Sequence, residues 1–589
     1  MLWRLVRLSS KPQRLFRRVF RYVMMNKAFF FSATALTVTS SLLGLVAPMV
    51  SGAVIDRVVA GNVSDIWVLA VVIVALTVFG SLIHFGSDII GELLAQKVVY
   101  RLRTEIFEHL QNLSYSFYDK VDAGQIITRV TSDMEQIGRL LGFALPNLVN
   151  AFCMLVSVSC ILLFQNRSLA LVAFSITPFV AVISLTFNRV VRPFMQRVWT
   201  EVSKVNAMVQ EVVAGFRVVK ALDIGDEMIQ RFEGRNRELY DIGMKTTKLS
   251  SITWPSLGLI MGMGTAAIYW YGGLQVIGNI TSLGELVAFT MYLGMMTWPI
   301  MSIGFILTRY QRAMVSAQRI FEVLDTEPEV KESPDAIELP NLAGSVRFED
   351  VTFGYDSTKP VLKGLNLSVS PGEKVAIIGS TGSGKSTLIK LIPRFYDPQG
   401  GRILVDNYDI KHVKIESLRK RIGIVHQDVF LFPLSIRENI AYGKPNATQD
   451  EIEAAAKAAR IHDFIKTLPQ GYDTIIGERG ITLSGGQRQR VAIARSLLID
   501  PSILILDDST SSVDADTERE IYEALKELVK NRTVFIITQR LSTLKLADRI
   551  VVIEGGKIVE DGKHEDLLKR SGAYAKLYMA QFARQEVSG

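Results

Sequence analysis

Apolar residues crowd the first half of the chain. Six stretches are apolar over about 20 residues or more, the length a helix needs to cross a bilayer: residues 28–55, 66–94, 140–164, 169–191, 252–277 and 283–307. The polar gaps between them alternate in length. Those at 57–65, 165–168 and 278–282 are very short, whereas those at 97–139 and 192–250 are long, rich in Lys and Arg, and carry helical periodicity continuous with the spans. Long basic loops mark the cytoplasmic side. The pattern therefore predicts six crossings, a cytoplasmic N-terminus, and transmembrane helices that continue far into the cytosol. Before the first span, residues 1–27 interleave Arg4, Arg7, Arg14, Arg17, Arg18 and Arg21 with Leu2, Trp3, Leu5, Val6, Leu15, Phe16 and Phe20. This predicts a basic elbow helix lying on the inner leaflet.

The pattern changes after the last span. Residues 326–345 hold Pro328, Pro334 and Pro340 among several acids and read as a linker. From 346 to 589 the composition is that of an ordinary globular domain. An alternating stretch (346–355) is followed by short apolar runs at 375–378, 503–506 and 534–537, interleaved with helical stretches. That is the signature of an α/β fold. The expected organisation is multidomain: an elbow (1–27), a six-helix α-helical transmembrane domain (28–325), a linker, and an α/β P-loop nucleotide-binding domain (346–589).

Composition agrees with a membrane protein. The 589 residues are 49% hydrophobic with a net charge of +8. Eight Lys or Arg and no acid lie between Met1 and Lys27. The positive charge thus belongs to a membrane flank and not to nucleic-acid binding, and no nucleic-acid partner is expected. Cys153 and Cys160 both fall within a span, where they read as small core residues.

The chemistry lies in the second half. Gly379, Ser380, Thr381, Gly382, Ser383, Gly384, Lys385 and Ser386 match G-x-x-x-x-G-K-[ST] directly after a strand-like run. In such a loop the backbone N–H groups close on phosphate oxygens, the lysine reaches the outer phosphates and the hydroxyl serves Mg²⁺. Leu483, Ser484, Gly485, Gly486 and Gln487 open a second helix whose N-terminus also suits an anion. The buried-strand run at 503–506 ends in Asp507, placed to hold Mg²⁺, followed by Asp508, where a water-activating base would sit.

Together the phosphate loop, Gln427, the LSGGQ motif, ILILDD, Asp514 in SSVD and the late position Gln539, preceded by six spans, resemble an ATP-binding cassette (ABC) exporter half-transporter of the type I kind. The resemblance covers almost the whole chain. It implies that Tyr355 stacks on adenine, Gly379 through Thr387 hold the triphosphate, and Ser386, Gln427 and Asp507 serve Mg²⁺. It implies that Gln427 touches the attacking water, that LSGGQ closes on ATP held by a second subunit, and that Asp514 communicates between sites. The stretches 117–135 and 211–222 resemble the loops that dock on the nucleotide-binding domains.

Two positions depart from the family pattern: Asp508 stands where Glu is usual, and Gln539 where His is usual. Asp is one methylene shorter, and about 1 Å of misplacement costs on the order of a hundredfold in rate. Gln539 can donate a hydrogen bond but gains no charge near neutral pH. The combination resembles the degenerate-site subunit of heterodimeric bacterial multidrug exporters. The expectation is an ATP-driven exporter of amphipathic small molecules or drugs from the cell membrane, working with a non-identical second subunit. A homodimeric lipid flippase or lipid exporter, and an ATP-gated channel or regulatory subunit, are the alternatives. Within the membrane, His84, Asp88 and Glu92 share one helix face. Met295, Met296 and Trp298 are candidates to line a substrate cavity, or else packing residues.

Overall fold

The computed structural model describes residues 12–62, 64, 66–340, 343–356, 358–426, 428–477, 480, 482–507, 515–538 and 540–581. The chain divides into two compact units. The first takes in the N-terminal part through Asn112 and Asp122–Thr326; the second takes in Leu113–Val121 and the chain from Glu327 onward.

The first unit is helical. Helix α1 (Pro12–Met25) precedes α2 (Lys27–Gly44), α3 (Val46–Val59) and the 47-residue α4 (Ile66–Asn112). After the short α5 (Tyr115–Lys120), helix α6 (Ala123–Gln165) carries π-helical turns at Arg129–Asp133 and Leu140–Ala144. Then follow α7 (Arg167–Thr186), α8 (Arg192–Ala214), α9 (Phe216–Ala221), α10 (Gly225–Ser251), α11 (Thr253–Ile277) and α12 (Leu283–Leu324).

Among the described residues, five helical runs are long and apolar enough to cross a membrane. The stretch expected as the fourth span is α7, whose apolar part, Arg167–Ile183, is shorter. It contains Pro178, and a π turn over Phe187–Val191, where Asn188 and Arg189 interrupt the apolar run, leads on to α8. At 1.5 Å per residue, the 47 residues of α4 span about 70 Å. That is more than twice a hydrocarbon core of about 30 Å, so the helix continues well past the membrane, as its periodicity predicts.

Packing in this unit relies on close approach. A Cβ on Gly284 would lie 2.0 Å from the Gly52 carbonyl oxygen, so α3 and α12 touch backbone to backbone. Asp56 caps that end of α12, accepting from the Ser282 hydroxyl at 2.6 Å and the Gly284 N–H at 2.7 Å. Where α2 gives way to α3, the Tyr292 hydroxyl donates to the Leu45 carbonyl at 2.6 Å, which satisfies a buried backbone oxygen. Outward, α4 presents Trp67, Phe79, Leu82 and Phe85, as a bilayer-facing helix does. The two cysteines are not core residues: Cys160 is exposed and Cys153 half-buried, because both fall outside the packed stripe of Ala151, Val158 and Leu162.

The second unit has two sheets. Strands β1 (Val346–Phe353), β2 (Leu362–Val369), β3 (Lys374–Ile378), β4 (Gly400–Val405), β5 (Tyr408–Asp409), β6 (Ile422–Val425), β7 (Ile503–Asp507), β8 (Thr533–Ile537), β9 (Arg549–Glu554) and β10 (Lys557–Gly562) follow in chain order. The four-stranded antiparallel sheet is ordered β2-β1-β4-β5, and the other β10-β9-β3-β8-β7-β6. In the latter, β9, β3, β8, β7 and β6 run parallel and β10 antiparallel. The apolar runs VAII, ILIL and VFII are its central strands, buried on both faces, which explains why they read as continuous and not alternating.

Candidate nucleotide-binding site

Register aligns the carboxyl ends of four parallel strands. Ile377 of β3 pairs with Ile537 of β8, Asp507 of β7 with Ile537, and Val425 of β6 with Leu506. Ligands of open α/β sheets bind at this edge. The phosphate loop, Asp507 and His426 therefore start from one line of residues. Gln427, Asp508, Asp514 and Gln539 lie outside the described residues.

The phosphate loop follows β3 and leads into helix α13 (Lys385–Leu391). Gly379 has no room for a side chain: a Cβ there would lie 2.2 Å from the Ile553 carbonyl oxygen. Gly384 turns the chain into α13 at φ +108°, a conformation that disfavours other residues. Ser380, Thr381, Gly382 and Ser386 are exposed, while Gly379, Ser383, Gly384 and Thr387 are buried. The Lys385 ammonium folds back over the loop and donates to the carbonyls of Gly379 and Ser380, each at 2.8 Å. Ser383 Oγ is buried without a hydrogen-bond partner among the described residues. A loop with an outward rim of small residues, a lysine on its own carbonyls and an orphaned hydroxyl fits a polyphosphate.

Tyr355 stands beside this loop. Its ring meets those of Phe353 and Tyr396 edge-on, with centroids 5.3 Å away in each case, and its hydroxyl lies 3.4 Å from Thr387 Oγ1. The ring is 48% exposed, so one face is open to stack on a base. Oxygen donors at Ser386 and Asp507 suit Mg²⁺, which takes one or two protein ligands and completes its shell from phosphate and water.

The LSGGQ segment begins helix α14 (Gly485–Ile499). Leu483 is buried and anchors it, while Ser484 and Gly485 are exposed. Ser484 and Gln487 form a capping box: the Ser484 N–H donates to Gln487 Oε1 at 2.8 Å and the Gln487 N–H to Ser484 Oγ at 3.3 Å. The helix start is thus fixed and presented outward.

Three features were missed in the sequence. His426 directly follows β6 and is exposed at its surface, yet crowding by the surrounding protein lowers its pKa; the Asp507 carboxylate opposes that shift and Lys390 adds to it. Its place at the end of a strand-like run was the available signal. The second is the true extent of the docked stretch, Tyr115–Lys120, of which the expected 117–135 contains only the part from Phe117 to Lys120. The Tyr115 ring stacks on Phe395 at 4.8 Å, Tyr396 donates to Asp119, Lys120 pairs with Glu329 at 2.9 Å, and the Val330 N–H donates to Ser114 Oγ at 2.8 Å. The docked stretch therefore begins before Phe117 and ends well before Glu135, since Asp122 and beyond belong to the first unit. The third is Lys390, whose ammonium lies 5.5 Å from the Tyr115 ring and 5.9 Å from the Tyr355 ring.

The other expected loop, at 211–222, runs from the end of α8 through α9 within the first unit and leaves Val213, Phe216, Val218 and Leu222 exposed. The membrane candidates separate. Met296 is buried in the helical core and Met295 packs against it, which favours packing over cavity lining, whereas Trp298 points outward, 59% exposed. His84 Nδ1 lies 3.3 Å from Asp88 Oδ2, both exposed, and Gln96 Nε2 donates to Glu92 Oε1 at 2.6 Å, so these groups pair along their own helix.

Known proteins agree with this arrangement. The ABC transporter transmembrane region family matches residues 30–300, and the ABC transporter family residues 362–511. The chain is 38% identical to the uncharacterized ABC transporter ATP-binding protein YknU of Bacillus subtilis, over 95% of each chain. It is 38% identical to an ATP-dependent lipid A-core flippase of Syntrophus aciditrophicus, over 93% of this chain and 90% of the relative. It is 39% identical to a fatty acid ABC transporter ATP-binding/permease protein of Mycobacterium tuberculosis, over 86% of this chain and 80% of the relative. A transmembrane region and an ATP-binding domain on one polypeptide, matched nearly end to end, make this chain a member of the ABC transporter family, an exporter half-transporter.

Proposed function

We propose that this chain is one half of an ATP-driven exporter of amphipathic, lipid-like molecules, and that its own ATP site hydrolyses slowly. The observation that carries the coupling is the docking of Tyr115–Lys120. This segment connects two helices of the transmembrane unit yet packs within the ATP-binding unit, so a change at the nucleotide has a direct path to the spans. Tyr355 stacks on adenine, and residues 379–387 hold the triphosphate. Ser386, Gln427 and Asp507 hold Mg²⁺, which neutralises phosphate charge. Ser484 and Gly485 close on ATP bound by the partner. The nucleotide-binding domain and the N-terminus are cytoplasmic.

Asp508 and Gln539 replace the usual base and switch residues, which favours a slow site paired with a competent one on a non-identical subunit. The exposed apolar α9 and the groove beside it, lined by Val209, Val213, Phe216, Met228 and Phe232, support a second subunit covering that face. Relatives that are a lipid A-core flippase and a fatty acid transporter favour lipid-like cargo over polar solutes. They equally support a homodimeric lipid flippase as the second reading.

The test is the ATPase activity of the native complex. Asp508→Ala leaves most of it, whereas Ser484→Ala removes most of it. Loss of turnover in Asp508→Ala would refute the slow-site reading and favour the homodimer.

A further inference from the structure

Helix α1 is amphipathic, but its apolar side is already occupied by protein. Leu15, Val19 and Val23, one turn apart, are buried. The Phe16 ring lies 5.9 Å from that of Tyr310 on α12, and the Phe20 ring 5.7 Å from that of Phe30 on α2. A helix that enters a leaflet through its apolar face needs that face free. What α1 leaves outward is a cationic edge: Arg14, Arg17 and Arg21 are exposed, and Lys27 follows, also exposed, at the start of α2.

Arg18 turns the other way. Its guanidinium donates to both carboxylate oxygens of Asp325, at 2.6 and 2.8 Å, and lies 3.9 Å from the centre of the Phe321 ring. One turn on, the Tyr22 hydroxyl donates to Glu105 Oε2 of α4 at 2.6 Å, and the other oxygen of Glu105 accepts from Arg101 at 3.1 Å. Asp325 caps the C-terminus of α12, and Thr326 is the last residue of the first unit. Helix α1 is thus fastened to the point where the chain leaves the transmembrane unit.

We propose that α1 is a headgroup-charge sensor: Arg14, Arg17 and Arg21 bind anionic phospholipid headgroups of the adjoining leaflet, and the Arg18–Asp325 clasp carries that bound state to the end of α12. Clusters of basic residues beside a span attract anionic lipid. Because the apolar face is engaged, the attraction depends on charge and not on insertion. It therefore weakens with salt and is indifferent to acyl-chain packing. The inference does not depend on which substrate is moved or on where ATP is hydrolysed.

The experiment places the full-length protein in nanodiscs of phosphatidylcholine with about 30% phosphatidylglycerol or none. Spin-labelled lipids report headgroup preference, and hydrogen exchange reports the amides of Asp325 and Thr326, which donate to Phe321 and Val323. The wild type prefers phosphatidylglycerol about fivefold or more, a preference that falls with salt. The triple variant Arg14→Gln, Arg17→Gln, Arg21→Gln loses it, whereas a control triple on α10 (Arg231, Arg235 and Arg237 to Gln) keeps it. Phosphatidylglycerol slows exchange at Asp325 and Thr326 in the wild type. It fails to do so in Arg18→Gln and Asp325→Asn, both of which keep the lipid preference. Retention of the preference by the α1 triple variant, or its persistence at high salt, overturns the lipid site. Equal slowing of exchange in Arg18→Gln overturns the clasp.

Discussion

Tyr396→Phe removes one hydroxyl and tests the docking of Tyr115–Lys120. The Tyr396 side chain is buried and its hydroxyl donates to Asp119. Burial and then the Asp119 carboxylate push its pKa up, so it remains a donor throughout the physiological range. A hydrogen bond to a charged partner contributes about 1.5–3 kcal/mol. The Tyr115–Phe395 stack contributes about 0.5–1.5 kcal/mol beyond its burial. The Lys120–Glu329 pair, with both side chains 59% exposed, contributes about 0.2–1 kcal/mol. The hydroxyl is thus the largest of these three contributions. At about 1.4 kcal/mol per factor of ten, its loss raises local opening by roughly 10- to 100-fold. Hydrogen exchange reads this directly at the amides of Phe117 and Val121, which donate to Ser114 and Phe117 at 3.0 and 3.1 Å. Lys120→Ala serves as the control and changes exchange by less than about fivefold. If Tyr396→Phe accelerates these amides no more than Lys120→Ala does, the hydroxyl does not hold the docked helix and the coupling path is wrong. The functional companion is fewer substrate molecules moved per ATP.

The remaining predictions concern the base and the core of the nucleotide-binding unit. Tyr355→Ala weakens binding of a fluorescent ATP analogue by about 5- to 100-fold, the value of one base–aromatic stack; unchanged affinity excludes the adenine role. Tyr472, buried and 2.7 Å from His462 Nδ1, has its pKa raised by burial, and secondarily by Glu453 and Asp463, to about 12 from an ordinary value of 10. Its folded pKa is the higher one, so its contribution to stability is full below pH 10 and is lost as pH rises through about 12. The alkaline fall in thermal midpoint over that window is smaller in Tyr472→Phe; an identical fall excludes the linkage.

Much of this was legible in the sequence because the governing patterns are local. Spans announce themselves by length and apolarity, and buried parallel strands by unbroken runs such as ILIL. The phosphate loop and the LSGGQ cap need particular residue types at fixed spacing, so Gly379, Gly384 and Ser484 could be placed directly. What the sequence hid depends on partners far along the chain. Asp119 and Tyr396 are 277 residues apart, and Arg18 and Asp325 are 307 apart. No periodicity links such positions. The same limit explains the methionines midway along the last span: Met295 and Met296 suit a cavity or a core equally well, and only the neighbouring helices decide that Met296 packs inward. The elbow shows a related limit: Leu2, Trp3, Leu5 and Val6 lie outside the described residues, and only its second half, from Pro12, can be placed. Its apolar residues match a leaflet, but Leu15, Val19 and Val23 are buried in protein.

The slow-site claim is tested most directly by ATP hydrolysis of the purified chain in nanodiscs, without any second subunit. The wild type is compared with the double variant Asp508→Glu, Gln539→His, which restores the usual base and switch residues. The prediction is slow turnover in the wild type and a rise of about tenfold or more in the double variant, since moving a base by about 1 Å is worth up to a hundredfold. A wild-type chain that alone hydrolyses as fast as the double variant contradicts the claim and makes Asp508 a competent base in a homodimer.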